Sequence, residues 1–212
     1  MNKVYDSMVS MKNMNSATVQ AYDDYPQVYD DMVIDFWQKF PSDFSQFFAD
    51  NLPNKKVLDL GSGSGRDAIL LRDLGLDVLC VDGAKAMVEM TRELGFESVQ
   101  TTFSEMDFSQ EFGGVWAYTS LIHISKDEMA SAIKKLREFI LPNGLFAIGV
   151  IEGNTDYEKR QDSMPDAVRF FQDYESDDLK RIIEPLGFEL LLETEYQPHG
   201  SVYLQQIYKL IS

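Results

Sequence analysis

The sequence predicts an α/β fold: a mostly parallel seven-stranded sheet with an antiparallel C-terminal strand, and an N-terminal helical cap over residues 1–50 that belongs to the same domain as residues 51–212. Three observations predict it. From Lys56 onward, short apolar runs alternate with amphipathic segments that end in glycine, the pattern of strands joined by crossover helices. The stretch Gly61-Ser62-Gly63-Ser64-Gly65 stands between the first such strand and the first such helix. The last two apolar runs follow one another with no helix between them, which pairs them antiparallel at an edge of the sheet.

The cap carries Tyr22, Tyr25 and Tyr29, then Phe36, Trp37, Phe40, Phe44, Phe47 and Phe48. So many exposed rings would favour aggregation, so most are expected against the sheet. The first strand is Val57-Leu58-Asp59-Leu60; a helix follows from about Arg66 to Leu74, and Gly75 stops it. Val78 to Asp82 reads as a second strand, Ala84 to Leu94 as a helix closed at Gly95, and Val99 to Thr102 and Val115 to Tyr118 as the third and fourth strands. Ser125 and Glu128 have capping-box spacing, and the helix behind them carries Met129, Ile133, Leu136 and Ile140 on one face until Pro142-Asn143-Gly144 ends it. Leu145 to Ile151 is a fifth strand, Asp177 to Leu186 a helix stopped at Gly187, and Phe188 to Tyr196 and Val202 to Ile211 the final pair. Residues 152–174 read as a polar loop, longer than the roughly 12 to 15 residues beyond which loops tend to be functional, and are expected to cover the site.

A chain of 212 residues is the length of one well-filled domain. Its 19 basic and 35 acidic residues leave a formal charge of −16, which repels phosphate backbones and argues against a nucleic-acid partner. No run approaches the roughly 20 apolar residues of a membrane span. Met1 to Gln20 lacks the basic start and apolar core of a secretory signal, so a cytoplasmic location is expected. Cys80, the single cysteine, lies in an apolar run and reads as a small core residue. His199, in the turn between the last two strands, reads as a surface residue; with His123 so distant, no metal site is expected.

Chemistry concentrates in Asp59-Leu60-Gly61-Ser62-Gly63-Ser64-Gly65-Arg66, between a strand and a helix, where glycines let the backbone approach a ligand and free N–H groups face it. The spacing is G-x-G-x-G, not the dinucleotide G-x-G-x-x-G, which argues against a nicotinamide cofactor. Asp82 stands at the tip of the second strand, where a carboxylate can accept both hydroxyls of an adenosine ribose. The bland alternative is a tight turn and a solvated strand-end carboxylate; the coincidence of both features in this fold favours the ligand.

With these residues the chain resembles the class I S-adenosylmethionine-dependent methyltransferases, from roughly Tyr22 to Phe188. More narrowly, Gly63 to Asp67, Phe103 to Phe108, Trp116 to His123 and Phe171 to Tyr174 resemble a bacterial subgroup of small methyltransferases. The resemblance implies a Rossmann-like fold and S-adenosylmethionine as cofactor, released as S-adenosylhomocysteine, without a metal. It implies that Gly61, Ser62 and Gly63, with Asp59 before them, line the methionine part and that Asp82 holds the ribose. Gly83 and Met87 would border the adenine, Thr102 and Phe103 its other side, and Ala117 and Tyr118 the end of the fourth strand nearby. Tyr22 and Tyr29 resemble tyrosines folded over the cofactor, where a ring can meet the sulfonium by cation–π attraction, with core packing as the alternative. Arg66 is a candidate partner for the cofactor's carboxylate, or else a surface arginine paired with Asp67. His123 is a candidate general base with a near-neutral pKa, or else a structural histidine bonded to backbone. Tyr118 is a second catalytic candidate through its phenol. The activity implied is methyl transfer to a small-molecule oxygen, nitrogen or sulfur acceptor; a non-catalytic cofactor-binding protein and a protein methyltransferase are the alternatives, and oligomeric state stays open.

Overall fold

The structure is a computed structural model that describes residues 16–198 and 200–211, so His199 and most of the segment Met1 to Gln20 lie outside the described residues. Helix α1 covers residues 16–24, α2 Pro26–Gln38 and α3 Ser42–Asp50. The strands and helices that follow are β1 (Lys56–Leu60), α4 (Arg66–Asp73), β2 (Asp77–Asp82), α5 (Lys85–Glu93), β3 (Glu97–Gln100), β4 (Phe112–Tyr118), α6 (Lys126–Leu136) and β5 (Ile140–Ile151). Then come β6 (Asp156–Gln161), β7 (Met164–Gln172), α7 (Ser176–Ile183), β8 (Phe188–Tyr196) and β9 (Tyr203–Leu210).

Seven strands form one sheet in the order β3-β2-β1-β4-β5-β9-β8. β1 to β5 are parallel, β9 is antiparallel to both its neighbours, and β8 is the outer strand. The side-chain period of two sorts β1 cleanly: Leu58 and Leu60 join the core beneath Met129, Ile133, Leu179 and Ile183, while Val57 joins the opposite core with Phe44, Phe48, Ala68 and Leu71. Asp59 therefore falls on the α3/α4 face.

The aromatic residues of α2 and α3 pack on β4, as expected. Trp37 and Phe40 meet Tyr118 at ring distances of 5.5 and 4.9 Å, and Phe44 and Phe48 meet Trp116 at 5.5 and 5.3 Å. Gly114 permits this approach, since a Cβ there would stand 2.8 Å from the Phe48 ring. The capping box of α6 forms: Ser125 N donates to Glu128 Oε2 at 2.9 Å, and Glu128 N to Ser125 Oγ at 3.3 Å.

Three expectations are corrected. Helix α6 stops at Leu136 and β5 already starts at Ile140, paired with Phe112, so Ile140 is not on the helix face and Pro142-Asn143-Gly144 forms an irregularity within the strand. β3 lies two residues earlier than Val99 to Thr102, because pairing with β2 sets Val81 opposite Val99 and Thr101 N closes the strand on Asp82 O at 3.0 Å. Residues 152–174 are not an irregular loop. They hold the antiparallel hairpin β6–β7, whose first strand is exposed at nearly every position and so carries no core-facing alternation for a reader to find.

Candidate functional site

β1 delivers the chain to the glycine loop, where Gly61, Gly63 and Gly65 take φ of +78°, +49° and +84°. Gly61 N and Ser62 N both donate to Val81 O, at 2.7 and 2.9 Å, which ties the loop to the end of β2. No side chain fits at Gly61: a Cβ would lie 2.2 Å from Ser120 Cβ, and Ser120 Oγ is itself donating to Leu60 O at 2.5 Å.

Asp82 closes the arrangement. Its Oδ2 accepts from Gly63 N at 2.9 Å and its Oδ1 from Ala84 N at 2.8 Å, and each carboxylate oxygen keeps a further lone pair. Burial pushes its pKa up to about 6, against the pull of the Ala84 and Gly63 N–H groups, with the charge of Asp23 adding to the rise. Gly61, Gly63, Asp82, Gly83, Thr102 and Phe103 line a cavity of about 70 Å³ under the roof of Thr18, Val19 and Tyr22.

Beneath the loop lies an under-satisfied polar layer. Asp59 is fully buried with neither carboxyl oxygen hydrogen-bonded, and the Ser62 and Ser64 hydroxyls are unpartnered too. Burial first, and the charge of the neighbouring Asp67 second, raise the Asp59 pKa well above its ordinary value. Burial likewise pushes Asp67 up to about 7, opposed by backbone N–H groups that include Ala68 N at 3.2 Å.

These residues fit a nucleoside cofactor. Asp82 offers acceptors to a pair of ribose hydroxyls, the glycines allow a close backbone approach, and Val81 and Phe103 give the cavity apolar surface. Of the residues expected around it, Tyr22, Tyr29, Gly61, Gly63, Asp82, Gly83, Thr102, Phe103, Tyr118 and His123 line the cavity. Asp59, Ser62, Met87 and Ala117 are buried outside its lining. Tyr22 and Tyr29 meet edge to face at 4.9 Å.

Three expectations change. Arg66 neither lines the cavity nor pairs with Asp67: its Nε and Nη2 donate to the two carboxylate oxygens of Asp30, at 2.8 and 2.6 Å, so the two-pronged geometry is spent on joining α4 to α2. The Tyr118 hydroxyl accepts from Gln205 Nε2 at 2.8 Å among the cap's aromatics, and burial pushes its pKa up, so the phenol stays protonated and engaged. His123 has both ring nitrogens occupied. Nδ1–H donates to Phe170 O at 2.6 Å, which leaves Nε2 to accept from the Tyr22 hydroxyl at 2.7 Å. Burial holds its pKa down at about 4, with the Phe170 bond opposing and Arg169 adding to the depression, so the expected near-neutral value is not found.

A second cleft, of about 240 Å³, shares Tyr22, Tyr29, Thr119 and His123 with the first. Phe36, Trp37 and Tyr203 form one side; Tyr157, Lys159, Arg169 and Phe171 of the hairpin form the other. Sequence reasoning passed over the hairpin residues. Their signal was the spacing by two of an aromatic and a cation, Tyr157 with Lys159 and Arg169 with Phe171, in a segment read as loop.

A family model described as a methyltransferase domain matches residues 57–144. Among solved structures, the Burkholderia thailandensis 1,6-didemethyltoxoflavin-N1-methyltransferase, with 1,6-didemethyltoxoflavin and S-adenosylhomocysteine bound, is similar at a TM-score of 0.71 and 20% identity, over 93% of this chain and 87% of that one. A DhpI–SAH complex is similar at a TM-score of 0.71 and 17% identity, over 91% and 96% of the two chains. The CcbJ methyltransferase from Streptomyces caelestis is similar at 0.65 and 19% identity, over 85% and 96%. At these identities the likeness to solved structures is one of fold.

Proposed function

We propose that this chain, an S-adenosylmethionine-dependent methyltransferase of class I by its methyltransferase domain and its fold, methylates a small molecule held in the cleft beside the glycine loop. The observation that carries the reading is the wall common to the two spaces. Tyr22, Tyr29, Thr119 and His123 border both, so a nucleophile seated in the second cleft adjoins whatever fills the first.

The bound sulfonium would supply an already activated methyl group. The protein's own residues then bind, orient and exclude water. Asp82 would accept the ribose hydroxyls, Gly61 and Gly63 would admit the methionine part, and Gly83, Thr102 and Phe103 would flank the base. Tyr22 and Tyr29 would supply aromatic surface to the same cavity. His123 acts as a positioning residue: a neutral ring with both nitrogens engaged fixes the Tyr22 hydroxyl, and it is a poor sink for a proton.

The formal charge of −16 supports a small acceptor over a nucleic acid. Among the described residues no helix is long and apolar enough to cross a membrane, and we assign the protein to the cytoplasm.

Calorimetric titration with S-adenosylmethionine, S-adenosylhomocysteine and NADH tests the reading. Saturable binding of the first two, lost in Asp82→Ala, is expected; binding of NADH alone, or of none of the three by folded protein, overturns it.

A further inference from the structure

The cleft under the hairpin has an unusual charge for this chain. Register in β6–β7 sets Lys159 opposite Arg169 and Tyr157 opposite Phe171, and all four line the cleft. Like charges directly opposite one another destabilise a strand pair. The chain has 35 acidic residues to relieve such a pair, yet none lines this cleft.

Arg169 is 5% exposed, so its guanidinium is a buried cation. Its hydrogen-bond partners are neutral: Gln161 Oε1, and the Tyr22 hydroxyl at 3.4 Å. Its other contacts are the rings of Tyr22 and Phe171, 5.5 and 5.4 Å from the guanidinium carbon. Lys159 reaches only the Phe171 ring, at 5.7 Å. Among the described residues no carboxylate pairs with either cation. A buried cation without a counter-charge is costly, and a second cation placed across from it adds to the cost. The Lys159 pKa is accordingly lowered, by burial and then by Arg169.

We infer that this cleft selects a small methyl acceptor that carries an oxyanion, a carboxylate or a phosphate, which Arg169 and Lys159 hold between them. The inference rests on the methyltransferase reading of the adjoining cavity and names the class of molecule beside it. Stacked Tyr157 and Phe171, 5.5 Å apart and 7° from parallel, with Trp37 and Tyr203 across the cleft, suit an acceptor whose body is flat and apolar. An arginine fork and a lysine point charge match either oxyanion, bidentate on one side and single on the other.

The test is calorimetry on the full chain saturated with S-adenosylhomocysteine, titrated with benzoate, phenyl phosphate and the neutral analogue benzamide. Saturable, salt-weakened binding of benzoate or phenyl phosphate is expected, with benzamide inert; the arm that binds identifies carboxylate or phosphate. Lys159→Glu should weaken the anion by about tenfold or more, the scale of a lost charged hydrogen bond. The same variant gives Arg169 a counter-charge, so its Tm should rise, which separates lost binding from lost fold. Benzamide binding as well as benzoate, an unchanged anion affinity in Lys159→Glu, or no anion binding by protein that binds S-adenosylhomocysteine overturns the inference. Failure to bind S-adenosylhomocysteine at all overturns the reading beneath it instead.

Discussion

Asp82 does two tasks with one carboxylate: it shapes the glycine loop through Gly63 N and Ala84 N, and it retains acceptor capacity toward the cavity. Its raised pKa makes cofactor binding sensitive to acid. In the free protein the carboxyl protonates near pH 6, and a protonated carboxyl has lost an acceptor where two hydroxyls need one. Affinity for S-adenosylhomocysteine should be flat above pH 7 and fall as pH drops through about 6, to about one tenth by pH 5, since each pH unit below the pKa exchanges a tenfold share of the ionised form. Calorimetry across pH 5 to 8 checks this; Asp82→Asn should show weak binding with no such slope. Asp82 was legible in the sequence because a strand end and a glycine loop are local features. The partners of Arg66, Tyr118 and His123 could not be read there for the opposite reason: they lie 36, 87 and 47 residues away, at Asp30, Gln205 and Phe170, and of the two readings left open for His123 the structure shows the backbone-bonded one. A residue's chemistry can be read from its neighbours in the chain only when those are its neighbours in space.

At the scale of elements, the strands and helices with a buried face were legible because burial writes a period into the sequence, although the start of β5 at Ile140 was read as the end of α6. β6 has no buried face, and its register with β7, which creates the cleft, left no such period. The α2–α4 junction rests on the Arg66–Asp30 pair, in which the arginine side chain is 33% exposed and the aspartate 10%. That asymmetry sets an order of effects. Arg66→Ala strands a mostly buried carboxylate, whereas Asp30→Asn leaves a cation that water still reaches. Thermal melts should show the larger loss for Arg66→Ala, with Asp30→Asn near 1 kcal/mol, or roughly 2 to 4 °C in Tm for a chain of this size. Equal losses would mean that the difference in exposure does not set the order. Cofactor affinity should fall in both, because α2 also carries Tyr29, whose ring contacts the position of Gly63.

For the whole molecule, buried acids decide how stability depends on pH. Asp59 and Asp67 hold their protons more tightly folded than unfolded, so each subtracts stability as pH rises from the ordinary carboxylate pKa, for Asp67 up to about 7. Asp30, Asp178 and Glu193 have lowered pKa values from their ion pairs and hydrogen bonds, so the stability they contribute is present above the carboxylate range and lost as pH falls through it. Stability should therefore peak on the acid side of neutrality and decline as pH rises through about 7, with Asp67→Asn flattening the decline. The net charge of −16 pushes the same way by self-repulsion. Salt separates the two: repulsion among exposed charges is screened at high ionic strength, whereas the cost of ionising a buried acid is not. A decline that persists in high salt and vanishes in Asp67→Asn supports the buried pair as its source.

The roof over the glycine loop sets a sequence of events in time. Residues 16–24 lie directly on the cavity: Val19 is 3.2 Å from the position of a Cβ on Gly83, and Asp23 Oδ1 accepts from Ala86 N at 2.8 Å. The space beneath is about 70 Å³, well short of the roughly 300 Å³ at which ligand sites begin, so an outward movement of this helix is the expected step in cofactor entry. Its Tyr22 is also a wall of the acceptor cleft, which is complete only when the helix has returned. On the proposed function an ordered turnover is expected, with the cofactor first on and its product last off. S-adenosylhomocysteine should inhibit competitively against S-adenosylmethionine and non-competitively against the acceptor; a random order would mean that the helix can close on either molecule alone.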